Sequence, residues 1–342
     1  MRFGVFLLAA RFPGQSDRDV LSAAAEAAVA AERAGFDDVW FAEHHFMSYG
    51  VCPSPVTLAG YVLGRTERIV VGTAVSVLSV RHPVALAEQA ALLDAVAPGR
   101  FRLGVGRGGP WVELEVFGTG LDRYEHGFGE ALGVLLAALG TGRAAADGPL
   151  FRFRAVPVVP GPRPELGQSV VVAATSPGTA ALAAQHGLPM LLGLHTADEG
   201  KREMIAAYAR AARPGTRAGH IGAVLAYVGD TQAGAQRIVR QSLPRWLRPG
   251  LAGYVPVDGR PPPSRDPAEY TDLLCRIHPV GAPDYCVQTM AATIERTGIR
   301  HLICMVEAAG DPALTRANIA RLGTEVLPAL RALSSPPVRD AG

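Results

Sequence analysis

Three side chains able to hold or move a proton, Glu43, His44 and His45, follow directly on the apolar run Val39-Trp40-Phe41-Ala42. A run without polar alternation reads as a strand covered on both faces. Its C-terminal end is where (β/α)8 barrels and other parallel sheets carry their chemistry. His44 is therefore a candidate acid/base. Two surface-loop histidines would look the same in isolation, so the neighbouring motifs decide how the triplet is read.

Two further stretches suit a phosphorylated or flat ligand. GVGRGG (104–109) follows a strand and matches the dinucleotide fingerprint literally, but Pro110-Trp111 comes next and the following helix begins only near Asp122. That fingerprint requires a helix opening on its third glycine and the first βα turn of its unit, whereas three βα units precede this one. The glycines serve equally for close backbone approach, with Arg107 projecting as an anion clamp. TSPGT (175–179) offers Thr175, Ser176 and Thr179 hydroxyls at a helix start, where free backbone N–H groups receive anions; Ser176 is also an ordinary N-cap for a helix with Pro177 in its first turn. No lysine-bearing phosphate loop is present. His44, His45, His82 and His126 lack the paired spacing of a zinc site, and no metal is expected.

The elements that must position these groups alternate with a period of about 30 residues, which reads as a parallel sheet. Strands are expected at 2–8, 39–42, 67–78, 100–106, 169–174, 189–194, 221–229 and 301–306. Helices are expected over 17–34 behind the Ser16 cap, 54–65, 83–97, from about 122, after Gly178, over 198–212, from Thr231 and from Asp311. Eight strands, each followed by a helix, predict a closed (β/α)8 TIM barrel in one domain over 1–335, with a tail at 336–342. Two Pro- and Gly-rich stretches break the alternation: 143–168 reads as an insertion after helix four, and 247–283, after strand seven, as a lid over the mouth.

Composition narrows the class. The chain has 342 residues, 49% of them hydrophobic, and a net charge of +2. Neither nucleic acid nor a membrane surface is suggested as a partner. The four scattered cysteines read as reduced thiols in a cytoplasmic protein. The apolar run in MRFGVFLLAARF is too short to span a bilayer, and a capped helix follows it within a few residues.

The segments MRFGVFLL, VWFAEHHF, VGTAVSVLSVRHPVALAEQAALLDAVAPGRFRLGVGRG, VFGTGLDRYE, AAQHGLPMLL and HPVGAPDYCV resemble the α chain of bacterial luciferase and the luciferase-like flavin monooxygenases. The resemblance covers nearly the whole chain apart from parts of the two irregular stretches. It implies a (β/α)8 barrel that takes reduced FMN (FMNH2) from a separate flavin reductase, adds O2, and holds a flavin C4a-peroxide in a water-poor pocket. By the same resemblance His44 matches the catalytic acid/base, and Arg107 matches the arginine that grips the FMN phosphate with Ser176 and Thr179. Thr175 stands where luciferase has glutamate. Ala74-Val75 lies where the family has a non-proline cis peptide under the isoalloxazine ring. Gly106 replaces a reactive cysteine and is expected to leave room beside the flavin. Glu125 replaces a second phosphate-binding arginine, for which Arg123 is expected to substitute. The tryptophans of the luciferase aldehyde pocket have no counterpart near 192–194; Leu192 and Leu194, with His45 and His82, are expected to line the substrate pocket instead.

The expected function is thus FMNH2- and O2-dependent hydroxylation or epoxidation of a bulky organic molecule, in secondary metabolism such as antibiotic biosynthesis. The alternatives are an F420-dependent dehydrogenase and a non-catalytic flavin-binding protein on the same barrel. A homodimer is expected as well. Helices 54–65 and 83–96 carry apolar residues in almost every direction, and a helix apolar all round is normally buried. Ala59, Gly60, Ala87, Ala90 and Ala91 would let partner helices approach across a twofold axis.

Overall fold

The computed structural model describes residues 1–216, 218–261 and 265–333. The expected domain boundary at 335 and the tail at 336–342 lie outside the described residues, as does 262–264 within the expected lid. Eight parallel strands form the barrel: β1 (Arg2–Leu7), β2 (Asp38–Phe41), β3 (Val70–Thr73, resuming as Ser76–Val77), β4 (Phe101–Arg102 and Gly104–Gly106), β5 (Val171–Ala173), β6 (Met190–Leu192), β7 (Ile221–Leu225) and β8 (His301–Met305). Sequential strands pair in turn, with Val5 opposite Val39, Val71 opposite Phe101, Gly104 opposite Val171 and Leu191 opposite Ile221. β7 pairs with β8, and β8 returns to β1 through Arg2↔His301 to Phe6↔Met305, which closes the barrel.

Side chains alternate across each strand. Phe6, Trp40, Leu191, Ala223, Leu225 and Met305 form a cluster inside the barrel. Val5, Val39, Phe41, Leu192, Val224 and Cys304 belong to a larger cluster between the sheet and the helices. All four cysteines are buried and unpaired. The floor of the barrel holds a buried carboxylate, Asp38, which binds Arg2 Nη2 (3.0 Å), accepts from Trp40 Nε1 (2.6 Å) and lies 2.9 Å from His301 Nε2. Burial alone would raise its pKa, but the charge and hydrogen bond of His301 prevail and hold it below the usual value. Gly4 makes this possible, because a Cβ there would lie 2.0 Å from Asp38 Oδ1.

The outer helices start where the capping residues stand. Ser16, Ser54, Ser176 and Asp311 accept from the first-turn N–H groups of Asp17–Arg33, Pro55–Leu63, Pro177–Gln185 and Pro312–Arg321. Three expectations need correction. Residues 143–168 are not an irregular insertion: Arg143–Asp147 and Arg152–Pro157 pair as an antiparallel hairpin, followed by the short helix Pro164–Gln168. In the 247–283 stretch, residues up to Ala252 complete the helix Gln232–Ala252, which runs through Pro244 and Pro249 because its buried face, with Val239, Leu243, Trp246 and Leu247, outweighs the two lost donors. Pro267–Ile277 is also helical, and Pro283–Thr297 forms a further helix between this stretch and β8.

The third correction concerns the expected dimer helices. Ala59, Ala87, Ala90 and Ala91 are fully buried inside their own chain, not available to a partner. They let Pro55–Leu63 and Pro83–Val96 sit close to the sheet and to helix Gly127–Thr141, and Gly60 likewise admits Leu93, whose Cδ2 would lie 3.2 Å from an added Cβ. The large apolar side chains these two helices present outward are Tyr61, Leu92 and Val96.

Candidate active site

The triplet after β2 divides into two roles. Glu43 is buried and serves as an anchor: its carboxylate accepts from Arg81 Nε (3.1 Å to each oxygen) and from Val77 N (3.3 Å), and lies 3.0 Å from His45 Nε2. His45 is thereby pinned, with its ring edge-on to Phe117 at 4.9 Å. This network ties the end of β2 to the end of β3 and to Arg81 beyond it, and it places His45 among the groups that hold the site. His44 has no such anchor. Its backbone N–H bonds Cys52 O (3.0 Å), and its Nδ1 is buried without a hydrogen-bond partner. That nitrogen faces Gly50, where a Cβ would lie 2.5 Å away. Burial, helped by the nearby His45, pushes the His44 pKa down to about 4. The ring is a neutral imidazole held in place by shape.

An aromatic wall surrounds it. Tyr49 meets His44 edge-on at 5.0 Å and stacks on Trp246 at 4.5 Å, and Tyr254 packs against both Tyr49 (5.3 Å) and Trp111 (4.8 Å). Trp246 Nε1 donates to Tyr49 O (3.0 Å), while Gly250 and Gly253 let the end of helix Gln232–Ala252 rest on Tyr49 and Met47. The stretch after that helix crosses the loop after β4 as a two-bond latch: Val112 N to Val255 O and Val257 N to Pro110 O, both 2.8 Å. The lid expected for 247–283 is thus a short strap, fixed at 253–257. Glu113, in the latched loop, is buried, and burial pushes its pKa up to about 7. Sequence reasoning missed this wall and Glu113, because isolated aromatics and one loop glutamate carry no spacing signal.

The expected flavin residues gather at the ends of β3, β4 and β5. The Ala74–Val75 peptide is cis, as the resemblance implied, and lies in the break between the two parts of β3. Gly106 does not leave room: a Cβ there would lie 2.6 Å from Val75 Cγ2 and 3.5 Å from Ala173 Cβ, so Val75 already occupies the space. Arg107 stacks on Tyr124 at 4.5 Å, and its carbonyl accepts from Ser79 Oγ at 2.5 Å. Ser176 Oγ accepts from Thr179 N (3.3 Å) and lies 3.1 Å from Thr179 Oγ1; Thr175 beside it is exposed. Arg107 has no carboxylate partner among the described residues. A guanidinium, hydroxyls and helix-start N–H groups on adjacent strands form a donor set suited to a phosphate monoester.

Three calls are redirected. Arg123 turns from Arg107 to the hairpin, donating through Nη2 to Arg81 O (2.6 Å) and stacking on Phe151 at 4.2 Å. Successive residues of a helix point about 100° apart, so Tyr124 reaches Arg107 while Arg123 cannot share that side. His82 caps Pro83–Val96 through Nδ1 and faces Phe151 and Phe153, away from the barrel mouth. Leu192 points into the layer between sheet and helices, the wrong side for a substrate, whereas Leu194 joins the inner cluster.

Fold and mouth together define a (β/α)8-barrel enzyme whose chemistry sits at the C-terminal ends of the strands. More narrowly, the chain belongs to the luciferase-like monooxygenases, a family of flavin-dependent enzymes: the family model matches residues 1–301. It is 30% identical to the alkanal monooxygenase alpha chain of Photorhabdus laumondii over 97% of this chain and 98% of that one. Among solved structures it resembles the monooxygenase RslO1 from Streptomyces bottropensis (TM-score 0.82, 23% identity, 96% of this chain and 99% of that one). It also resembles the oxygenating constituent of 3,6-diketocamphane monooxygenase from Pseudomonas putida, a Baeyer-Villiger enzyme in complex with FMN (TM-score 0.75, 21% identity, 96% and 98%).

Proposed function

We propose that this protein is an FMNH2- and O2-dependent monooxygenase that hydroxylates or epoxidises a bulky organic molecule, receiving its reduced flavin from a separate reductase. The observation that carries this reading is His44: a neutral imidazole with an orphaned, buried Nδ1, set in an aromatic wall that keeps water out. In this reading Arg107, Ser176 and Thr179 hold the FMN phosphate, with Thr175 at the rim, and Ala74, Val75 and Gly106 underlie the ring. When bound, reduced flavin supplies the electrons that activate O2. The chain's own residues then have three tasks: Tyr49, Trp111, Trp246 and Tyr254 exclude water, Glu43 and Arg81 fix the site's frame, and His44 accepts or returns a proton. With a pKa of about 4, roughly one His44 ring in a thousand is charged at pH 7, so it acts first as a base. Hydroxyl transfer to carbon and Baeyer-Villiger insertion, the chemistry of the Pseudomonas putida relative, share these requirements. A homodimer, a cytoplasmic location and a role in secondary metabolism complete the proposal.

Anaerobic titration with FMNH2 tests it: tight binding is expected, and its absence alongside tight binding of a deazaflavin would overturn the choice of cofactor. His44→Ala should keep flavin binding and lose about 10²–10⁴-fold in turnover.

A further inference from the structure

The loop that leaves β6 carries a second imidazole to the barrel mouth. β6 stands four strands from β2 in either direction around the closed barrel, so this wall faces His44 and lies away from helices Pro55–Leu63 and Pro83–Val96. His195, in that loop, places Nδ1 2.7 Å from the hydroxyl of Tyr270 on helix Pro267–Ile277. Tyr270 belongs to the inner cluster with Leu194, and the phenols of Tyr49, Tyr254 and Tyr270 are close enough to oppose one another's ionisation. The direction of the hydrogen bonds follows. Arg265 stands over the Tyr270 ring at 5.2 Å and donates to its hydroxyl. A guanidinium only donates, so the hydroxyl turns its own hydrogen to His195 Nδ1, and Nε2 carries the ring's remaining N–H. Among the described residues nothing accepts that N–H. The chain surrounds the imidazole closely enough to push its pKa down, with the charges of Arg265 and Lys201 adding to the effect. Its ring is nevertheless exposed, which is the position of a group lining a concavity. Lys201, on the next helix, is 1% exposed and forms no ion pair among the described residues; Asp198, the carboxylate acting on it, is held by Arg296 at 2.7 Å. An N–H without an acceptor thus faces the mouth, with two cations near it.

We infer that His195 fixes the polar end of the substrate: the molecule to be oxidised is a phenol, bound as its anion with the oxygen on His195 Nε2 and its rings between this wall and the aromatic wall of Tyr49 and Tyr254. One N–H matches the single oxygen of a phenolate, where a carboxylate would bring two oxygens to satisfy. The inference rests on the proposed function, because it names the class of substrate for the same mouth.

Titration with 4-nitrophenol, whose yellow anion is read by absorbance, and with neutral 4-nitroanisole as the control tests this, each with and without saturating FMN. The parent should bind the nitrophenolate more tightly than the anisole, lower the pH at which the bound phenol ionises, and keep it when FMN is added. His195→Leu should weaken the phenolate about ten- to a hundredfold, the usual effect of losing a hydrogen bond to a charged group, and leave the anisole unchanged. His195→Gln, whose amide supplies a donor near the same point, should restore most of that loss. Tyr270→Phe should reduce the preference through the freed imidazole, and it keeps the test open if His195→Leu does not fold. No binding to the parent, equal affinity for the two probes, an unchanged preference in the variants, or displacement of nitrophenolate by FMN would each overturn the inference. If FMN itself fails to bind, the cofactor proposal falls, while the preference for the phenolate and its loss in the variants still decide this one.

Discussion

Gly50→Ala probes the positioning of His44 without adding or removing any polar group. The added Cβ would lie 2.5 Å from His44 Nδ1 and 2.6 Å from Leu8 O. Ordinary contact begins near about 3.5 Å, so something must yield by about 1 Å. Leu8 O belongs to the backbone at the end of β1, whose own N–H is held by Glu307 Oε2 at 2.6 Å. The imidazole, with no hydrogen bond on Nδ1, is the softer neighbour and should move. Overpacking of this kind costs about 1–3 kcal/mol of stability, and a 1 Å misplacement of a reacting group costs about 10²-fold in rate. Stopped-flow reoxidation of enzyme-bound FMNH2 by O2, combined with thermal melting, measures both. The variant should melt a few degrees lower, bind FMN as the parent does, and shift its reoxidation rate in the same direction as His44→Ala. Parent-like reoxidation in a folded Gly50→Ala protein would refute the claim that shape at this position holds the histidine for chemistry.

Three other outcomes are expected. Arg107→Ala should weaken FMN far more than riboflavin, because only FMN carries the phosphate; equal loss in a titration of both would make Arg107 structural. Leu92→Glu, on the outward face of helix Pro83–Val96, should convert a sedimenting dimer to a 35.8 kDa monomer, whereas a parent that already sediments as a monomer removes the dimer; Ala90, buried within its own chain, is unsuitable for this test. Burial raises the carboxyls of Glu113 and Glu307 from 4.5 to about 7. A raised folded-state pKa contributes stability that is complete below the unfolded value and lost as pH rises through the folded one, so melting temperature should fall between about pH 4.5 and 7 and Glu307→Gln should flatten that slope.

The barrel was legible because its signals are local. Apolar runs such as 169–174, caps such as Ser54 and Asp311, and prolines in first turns mark element boundaries whatever packs around them. His44, the proposed acid/base, was legible as a candidate for the same reason, standing at the end of such a run. What escaped were features set by packing. The length of helix Gln232–Ala252 is decided by a buried face that overrides two prolines, and the hairpin at 143–157 by pairing across a Pro- and Gly-rich stretch. Leu192 was misassigned because one step along a strand exchanges barrel interior for helix layer, and the run 189–194 has no polar residue to fix the phase. The alanines of helix Pro83–Val96 were assigned to a partner because composition records that a helix is apolar all round, without recording which neighbour covers it.

The two hydrogen bonds that fasten the strap across the mouth, Val112 to Val255 and Val257 to Pro110, run between backbone atoms. Main-chain bonds of this kind survive almost any change of side chain at the same positions, proline at a donor being the exception. Trp111 and Tyr254, the side chains that the latched segments turn toward each other, are therefore free to be exchanged while the closure itself persists. A strap held in this way keeps its course over the barrel mouth while the side chains it carries change in size and shape.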